Sequence, residues 1–231
     1  MSGHDNHYSV MLNEAIKALF IRKDGKYADC TYGRGGHSKA IVSALGPMGG
    51  LLTLDSDLDA VLHAKKTFLN DSRVVVEHST FSNIKKLAKK HNLTGFDGVL
   101  LDLGVSSPQL DNAERGFSFR LDGPLDMRMD RSAGITAADW LREAPQKEIE
   151  EVLKNFGEER YFRRIARAVV TERDKYELNS TSDLVEIVKK AIPTLEKNKH
   201  PATRVFQAIR IHVNRELEEL TQCLEQLIGL M

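Results

Sequence analysis

Apolar residues in the first half of the chain form short continuous runs that alternate with segments of helical periodicity. The runs lie at 27–31, 51–54, 74–77 and 96–103, and continuous apolarity is typical of strands that are buried on both faces. Segments 38–45, 57–68 and 83–91 place apolar residues three and four positions apart, which predicts one-sided helices. Such alternation indicates parallel strands joined by crossover helices, so we expect an α/β fold with a Rossmann-like sheet.

The pattern changes after Gln109. Glycine, proline and aspartate dominate up to about Arg131, and helical periodicity then continues without another strand-like run. One helix is predicted from about 203 to 228, with an apolar stripe that must bury against something: Phe206, Ile209, Val213, Leu217, Leu220, Leu224 and Ile228. We therefore expect a core formed by 1–109 and 201–231, with a helical insertion at 110–200 that is a candidate for RNA recognition.

Composition narrows the functional classes. The 231 residues contain 33 Lys and Arg against 33 Asp and Glu, so a nucleic-acid partner would need a local basic patch. The two cysteines, Cys30 and Cys223, have no metal-site or disulfide spacing, which favours a reducing cytoplasm. The polar start with His4, Asp5 and His7 does not resemble a secretory signal, and no apolar run is long enough to span a membrane. A cytoplasmic location is expected.

A glycine-rich turn follows the first predicted strand. Gly33, Gly35 and Gly36 would let the backbone pass close to a ligand, and Asp55, about 20 residues further on, is placed to accept hydrogen bonds from ribose hydroxyls. Both NAD and S-adenosylmethionine fit this arrangement. The full dinucleotide spacing is absent because Lys39 stands at its third position, which favours the methyl donor modestly. A strand-helix joint without a ligand is the remaining alternative.

The fourth predicted strand ends in Asp102 and the loop Ser106–Gln109, at the edge where α/β sheets bind ligands. Enzymes that methylate exocyclic amines often carry a related Pro-containing loop there, because attack on a methyl sulfonium needs acceptors that orient the amine. We take Asp102, Ser106, Ser107 and Pro108 as the candidate catalytic residues. A target base must also leave its stack, and Phe81, Phe117 and Phe119 are candidates to hold its face. For Phe117 and Phe119, anchoring of the insertion onto the core is the alternative.

Charged clusters in the second half have two interpretations each. Arg160, Arg163, Arg164 and Arg167 share one side of a predicted helix, which indicates either a phosphate-binding stripe or a solvated face paired with Glu158 and Glu159. Asp122, Asp126 and Asp130 recur every four residues. Because Gly123 and Pro124 would break a helix there, we do not expect a metal site.

Several long motifs, in the same order, resemble the bacterial ribosomal RNA small-subunit methyltransferase H (MraW-like) family. They are Asp29–Ser38, Asp102–Gln109, Glu114–Phe119, Gly123–Asp130, Gly157–Arg160 and His200–Arg204, and the resemblance runs from His7 to Leu217. It implies a class I methyltransferase sheet and N4-methylation of a cytidine in the decoding region of 16S rRNA, within the small ribosomal subunit. It also implies S-adenosylmethionine as the donor and no metal.

The resemblance carries the family's donor contacts to seven positions of this chain: Gly35, Gly36, His37, Asp55, Phe81, Asp102 and Gln109. For His37, a simple role at the start of a helix is the alternative. The candidate RNA-binding residues are Phe117, Phe119, Arg164, Arg167 and Arg204. Departures from the family pattern are Cys30 for a usual glycine, Tyr32 for a usual phenylalanine, and Ser56 where an arginine is common.

In the family the final helix leads into further strands, whereas this sequence ends at Met231. We therefore expect a C-terminally truncated member whose sheet is incomplete and whose fourth strand is an open edge. Its donor pocket would be largely encoded but its catalysis weak or absent. The alternative is a non-catalytic protein that binds the donor or RNA and self-associates, as a homodimer for example. An NAD-dependent oxidoreductase is a more distant alternative.

Overall fold

The computed structural model describes residues 9–194 and 200–231. They form two compact units, one comprising the chain up to Gly104 together with Leu217–Met231, the other comprising Val105–Glu216. The predicted division instead placed 105–109 and 201–216 with the sheet. His4, Asp5 and His7 lie outside the described residues.

The described elements follow one another in this order: α1 Leu12–Leu19, β1 Lys26–Asp29, α2 Gly36–Ala44, β2 Gly50–Asp55, α3 Leu58–Thr67, β3 Val74–His78, α4 Ile84–Lys90, β4 Gly98–Leu100, α5 Ser107–Asp111, α6 Ala137–Glu143, α7 Gln146–Gly157, α8 Phe162–Arg173, α9 Thr181–Ala191, α10 Thr203–Val213 and α11 Glu216–Leu227. Short 3-10 helices occupy Phe81–Asn83 and Ala113–Arg115. No helix in the described ranges is long and apolar enough to cross a membrane.

The sheet of the first unit is fully parallel, with strand order β3-β2-β1-β4. This is the order of a Rossmann-like half-sheet, so the predicted α/β class is confirmed. Strands occur in all four predicted runs, but β4 is shorter than 96–103. The backbone leaves the ladder at both ends of this run, because Phe96 N donates to Leu230 O and Asp102 N donates to the Thr31 hydroxyl.

Side chains on the two faces of the sheet enter separate cores. Tyr27 and Leu51 pack with Ile41, Val42 and Leu45, so that α1 and α2 cover one face. The side chains that alternate with these along the chain point to the other face and pack against α4 and α11. They are Ala28, Cys30, Leu52 and Leu54, and their core also contains Ile84, Leu87, Ala88, Phe96, Cys223 and Leu230. Burial on both faces explains why these strands have continuous apolar runs.

The second unit is helical and has its own core. Capping boxes start α6 and α9, since Asp139 N donates to Thr136 Oγ1 (3.0 Å) and Asp183 N donates to Ser180 Oγ (3.1 Å). The core joins residues of α6 to α10, and α10 contributes Val205, Phe206, Ala208 and Ile209. This burial is the physical reason why α10 belongs to the helical unit and not, as predicted, with the sheet.

The single long final helix predicted for 203–228 is wrong, because the chain breaks at Asn214 and Arg215. Arg215 has a left-handed backbone with φ 51°, so α10 ends at Val213 and α11 begins at Glu216. The apolar stripe is divided accordingly. Phe206 and Ile209 are buried, whereas Leu217, Leu224 and Ile228 are exposed.

Candidate functional site

The glycine turn follows β1 and is tied to the end of β2. Gly33 and Gly35 have positive φ values of 55° and 76°, and Gly35 N donates to Tyr32 O at 2.7 Å. Gly33 N donates to the Asp55 carboxylate at 2.8 Å. A Cβ on Gly35 would collide with the Tyr32 ring. The turn therefore requires glycine there, and its backbone is held against the last residue of β2.

Asp55 presents a carboxylate that its surroundings make reluctant to ionise. Desolvation raises its pKa to about 6, although hydrogen bonds from the backbone N-H groups of Asp57 and Gly33 oppose this shift. Asp57 in turn caps α3 by accepting from Asp59 N at 3.0 Å. Asp55 is thus a fixed hydrogen-bond acceptor at the carboxyl edge of the sheet.

Asp29 supports the turn from within the core. Its side chain is fully buried, and it accepts from Ser38 Oγ at 2.6 Å and from Thr31 N at 3.1 Å. Burial raises the pKa of this carboxyl group. Ser38 also lies 3.1 Å from the hydroxyl of Thr53 on β2. The sequence analysis gave Asp29 no role; the available signal was a lone carboxylate within an apolar strand.

His37 and Asp102 meet at the same edge. The Nδ1 atom of His37 lies 3.8 Å from Asp102 Oδ2, and its Nε2 atom lies 3.2 Å from Val10 O. His37 is buried, whereas the Asp102 side chain is 48% exposed. Asp102 N donates to Thr31 Oγ1 at 2.7 Å, which fixes the start of the loop after β4. His37 therefore contacts its neighbours through both ring nitrogens and does not act as a simple helix cap.

The first unit thus brings together predicted donor contacts from three strand ends. Gly33 N donates to Asp55, and His37 approaches Asp102. Phe81 follows β3 in its 3-10 helix and is partly buried against the core on the α4 face. Gly36 lies directly against Ser9, where a Cβ would clash. This edge can accept hydrogen bonds through Asp55 and Asp102 and can approach a ligand closely with glycine backbone.

The predicted loop Ser106–Gln109 belongs to the second unit and starts α5. Ser106 is the N-cap, with Ser107 and Pro108 in the first turn, and Ser106 N donates to Gln109 Oε1 at 2.9 Å. Gln109 is buried at 5% exposure. A capping box and a proline therefore make this loop rigid.

Phe117 and Phe119 differ in their surroundings. Phe117 is 5% exposed and lies within the core of the helical unit itself. Phe119 is only partly buried; its ring stacks on His200 with centroids 4.5 Å apart and meets Phe206 edge-on at 5.8 Å. Of the two rings, Phe119 has the face nearer to solvent.

Three arginines of α8, Arg163, Arg164 and Arg167, are exposed to solvent. Arg164 and Arg167 are exposed, and within the described ranges neither forms an ion pair with Glu158 or Glu159. Arg160 and Arg163 lie over the rings of Tyr161 (5.5 Å) and Phe162 (5.1 Å). Glu159 is buried and accepts from Tyr161 N at 2.8 Å. The positive side of α8 is therefore not neutralised by these two carboxylates.

Two further predicted residues lie elsewhere in the helical unit. Arg204, in the first turn of α10, lines a small cavity of about 30 Å³ together with Glu159 and His200. Asp126 pairs with Arg128 at 2.7 Å and lies 3.6 Å from Arg131. In the part of the chain that the structure describes, no three His, Cys, Asp or Glu side chains are grouped to hold a metal ion.

Three relatives from different bacteria carry the same protein name. The chain is 54% identical over 226 residues to a ribosomal RNA small subunit methyltransferase H of Legionella pneumophila (strain Corby), covering 97% of this chain and 73% of that protein. The proteins of the same name from Methylococcus capsulatus and Chromobacterium violaceum are 53% and 50% identical, over 96% and 97% of this chain and 74% and 70% of theirs. The family model described as the MraW methylase family matches residues 4–231. The chain therefore belongs to the MraW methylase family.

Proposed function

We propose that this protein is a cytoplasmic, S-adenosylmethionine-dependent methyltransferase acting on N4 of a cytidine in the decoding region of 16S rRNA, within the small ribosomal subunit. The observation that carries the proposal is the glycine turn held to Asp55 beside the His37 and Asp102 pair, in a member of a methylase family. Relatives that are about half identical are named ribosomal RNA small subunit methyltransferase H.

Donor binding would use the charge and shape of the first unit. Asp55 is placed to accept hydrogen bonds from the ribose hydroxyls, as the equivalent acidic residue does in nucleotide-binding sheets. A side chain at Gly35 would meet the Tyr32 ring and one at Gly36 would meet Ser9, so glycine at both positions keeps the turn in the shape whose backbone would face the donor. The donor carries a sulfonium and an ammonium group, so carboxylates at Asp55 and Asp102 give the edge a complementary charge. Phe81 and Gln109 complete the proposed set of donor contacts.

The chemical step needs an oriented amine more than a strong base. When bound, the donor would supply an electrophilic methyl group to the cytosine amino nitrogen, with cleavage of the carbon-sulfur bond and loss of a proton from the nitrogen. Asp102, half exposed and fixed through Thr31, would accept a hydrogen bond from the amine and receive that proton. Ser106, Ser107 and Pro108 would supply rigid acceptors from the capped start of α5.

RNA binding would use the helical unit. Arg164 and Arg167 present exposed guanidinium groups to phosphates, and Arg204 begins α10. Phe119, already stacked on His200, offers a ring on which a base could stack. Phe117 is too buried for base contact and anchors the loop. Replacing Arg164 and Arg167 with alanine should weaken RNA binding while leaving donor affinity unchanged.

Two measurements test the proposal together. Calorimetry measures the binding of S-adenosylmethionine, and a transfer assay follows a tritiated methyl group onto 30S subunits that lack the modification. We expect donor binding, and after nuclease digestion we expect N4-methylcytidine as the labelled product. Asp102→Asn should reduce methyl transfer far more than it reduces donor affinity. Asp24→Asn, which changes an exposed carboxylate, is the control. Folded protein without donor affinity, or label on another nucleoside, would refute the proposal.

A second candidate is a donor- or RNA-binding protein of weak or no activity that self-associates. Exposed apolar side chains in and directly after α11 favour it, because Leu224 and Ile228 are 51% and 85% exposed. Sedimentation velocity distinguishes the two. A homodimer that dissociates in a Leu224→Lys/Ile228→Lys variant would support self-association, and a monomer with normal turnover would exclude this candidate.

A further inference from the structure

A surface on the sheet unit carries positive charge that the proposed site does not use. Between Glu77 and Asp97 the sequence contains no acidic residue, but it contains four lysines, all on α4. The chain as a whole has equal numbers of basic and acidic residues. The concentration of charge on α4 is therefore local and is not a consequence of bulk composition.

Three of these lysines have no counter-charge. Lys90 pairs with Glu77 at 2.6 Å, whereas Lys85, Lys86 and Lys89 are exposed and form no ion pair with any described residue. These three side chains, here called the lysine surface, line an open groove of about 530 Å³ with Ser82, Asn83 and Gln226. Like charges one helical turn apart, such as Lys85 and Lys89, repel each other, and a bound anion would relieve this repulsion.

The helix that carries the lysine surface is held in place by α11. Ile84, Leu87 and Ala88 are buried beneath it. Gln226 accepts from Lys85 N at 3.1 Å and donates to Ser82 O at 2.6 Å, while Glu219 accepts from Ser82 N at 3.3 Å. The lysine stems can move, but the backbone that spaces them is fixed, which reduces the entropic cost of binding an extended polyanion.

We propose that the lysine surface binds the phosphodiester backbone of the RNA substrate without reading its sequence. The inference rests on the proposed function for the identity of that RNA. Point charges on flexible stems suit phosphates, and the groove carries no exposed aromatic ring on which a base could stack. This contact is additional to the arginines of α8, which lie on the other unit.

The test compares two triple variants with equal charge change in the 231-residue protein. One is Lys85→Ala/Lys86→Ala/Lys89→Ala; the other is Lys23→Ala/Lys65→Ala/Lys66→Ala, which alters exposed lysines of the same unit. Fluorescence anisotropy would measure affinity for a labelled 16S decoding-region RNA between 25 and 200 mM KCl. A salt series is needed because the affinity that phosphate contacts contribute falls as the salt concentration rises. Calorimetry with S-adenosylmethionine would verify that each variant keeps its donor site.

If the lysine surface neutralises about two to three phosphates, its variant should lower the slope of log affinity against log salt by roughly 2. At low salt its affinity should fall by about 10-fold or more, the control should stay close to wild type, and Lys→Arg replacements should restore binding. If the slope of the lysine-surface variant is unchanged while the wild type binds RNA, the inference is wrong but the proposed function stands. An equal loss in the control would do the same, whereas failure of the wild type to bind RNA would overturn the proposed function as well.

Discussion

The desolvated carboxylate of Asp55 lowers the stability of the folded protein. Its pKa is about 6 in the folded protein because the carboxylate is desolvated, against an ordinary value of 3.8. The folded state therefore binds the proton more tightly than the unfolded state does. Between about pH 4 and pH 6 this residue makes the protein less stable as the pH rises. A charge kept at this cost is consistent with selection for ligand binding.

The same pKa predicts how donor affinity depends on pH. Binding should be constant above about pH 7 and should weaken by about 10-fold by pH 5, because the protonated acid accepts ribose hydrogen bonds poorly. Asp55→Asn should bind weakly at every pH and should lose the decline in stability between pH 4 and 6. Calorimetry across this range, with Asp24→Asn as the control, checks both points. A flat wild-type profile would contradict the role given to Asp55.

Tyr32 stabilises the glycine turn from below. It is 3% exposed, its hydroxyl lies 2.8 Å from His63 Nδ1, and its ring fills the space beside Gly35. Tyr32→Phe keeps the ring but removes the hydroxyl's partly buried contacts with His63 and with Thr67 Oγ1 (3.4 Å), so the free energy of unfolding should fall by about 1 kcal/mol. Urea denaturation would measure it, beside Tyr176→Phe, whose residue is 43% exposed. Equal effects in both variants would show that the His63 contact contributes nothing.

Among the secondary-structure elements, the break between α10 and α11 depends on one polar side chain. The Asn214 amide donates to Met127 O and Arg210 O, both at 2.8 Å, and its oxygen accepts from Met129 N at 2.7 Å. Asn214→Ala should lower the free energy of unfolding by about 2 to 3 kcal/mol, since three partly buried partners lose their bond. Thermal denaturation would compare this variant with Asn155→Ala, which changes an exposed residue. Equal unfolding midpoints in the two variants would contradict the prediction.

These elements show where sequence patterns suffice and where they do not. Apolar runs located β1 to β3, because this signal is local. The break at Asn214 was missed because apolar periodicity stays in phase across it, while its cause lies 85 and 87 residues away at Met129 and Met127. In the site, the glycine turn and Asp55 were predictable from spacing. The contact between Tyr32 and His63 was not, because only the packing of α3 brings them together.

At the scale of the whole molecule, chemistry and charge are divided between two units. The sheet unit holds the proposed donor residues and the lysine surface, and the helical unit holds the exposed arginines of α8. A net charge of zero conceals both basic surfaces. Salt dependence of RNA binding should therefore be reduced by variants in either unit, although the composition gives no indication of nucleic-acid binding.

The division also predicts which fragment can fold alone. Val105–Glu216 is continuous in sequence and contains a core to which α6 to α10 all contribute, so it should unfold cooperatively with helical circular dichroism. The fragment 110–200, which follows the boundaries predicted from sequence, lacks α10. It would expose the surface that Val205, Phe206 and Ile209 cover and should show no cooperative transition. Equal cooperativity in the two fragments would mean that α10 is dispensable to the core, and a non-cooperative longer fragment would mean that the helical unit depends on the sheet unit.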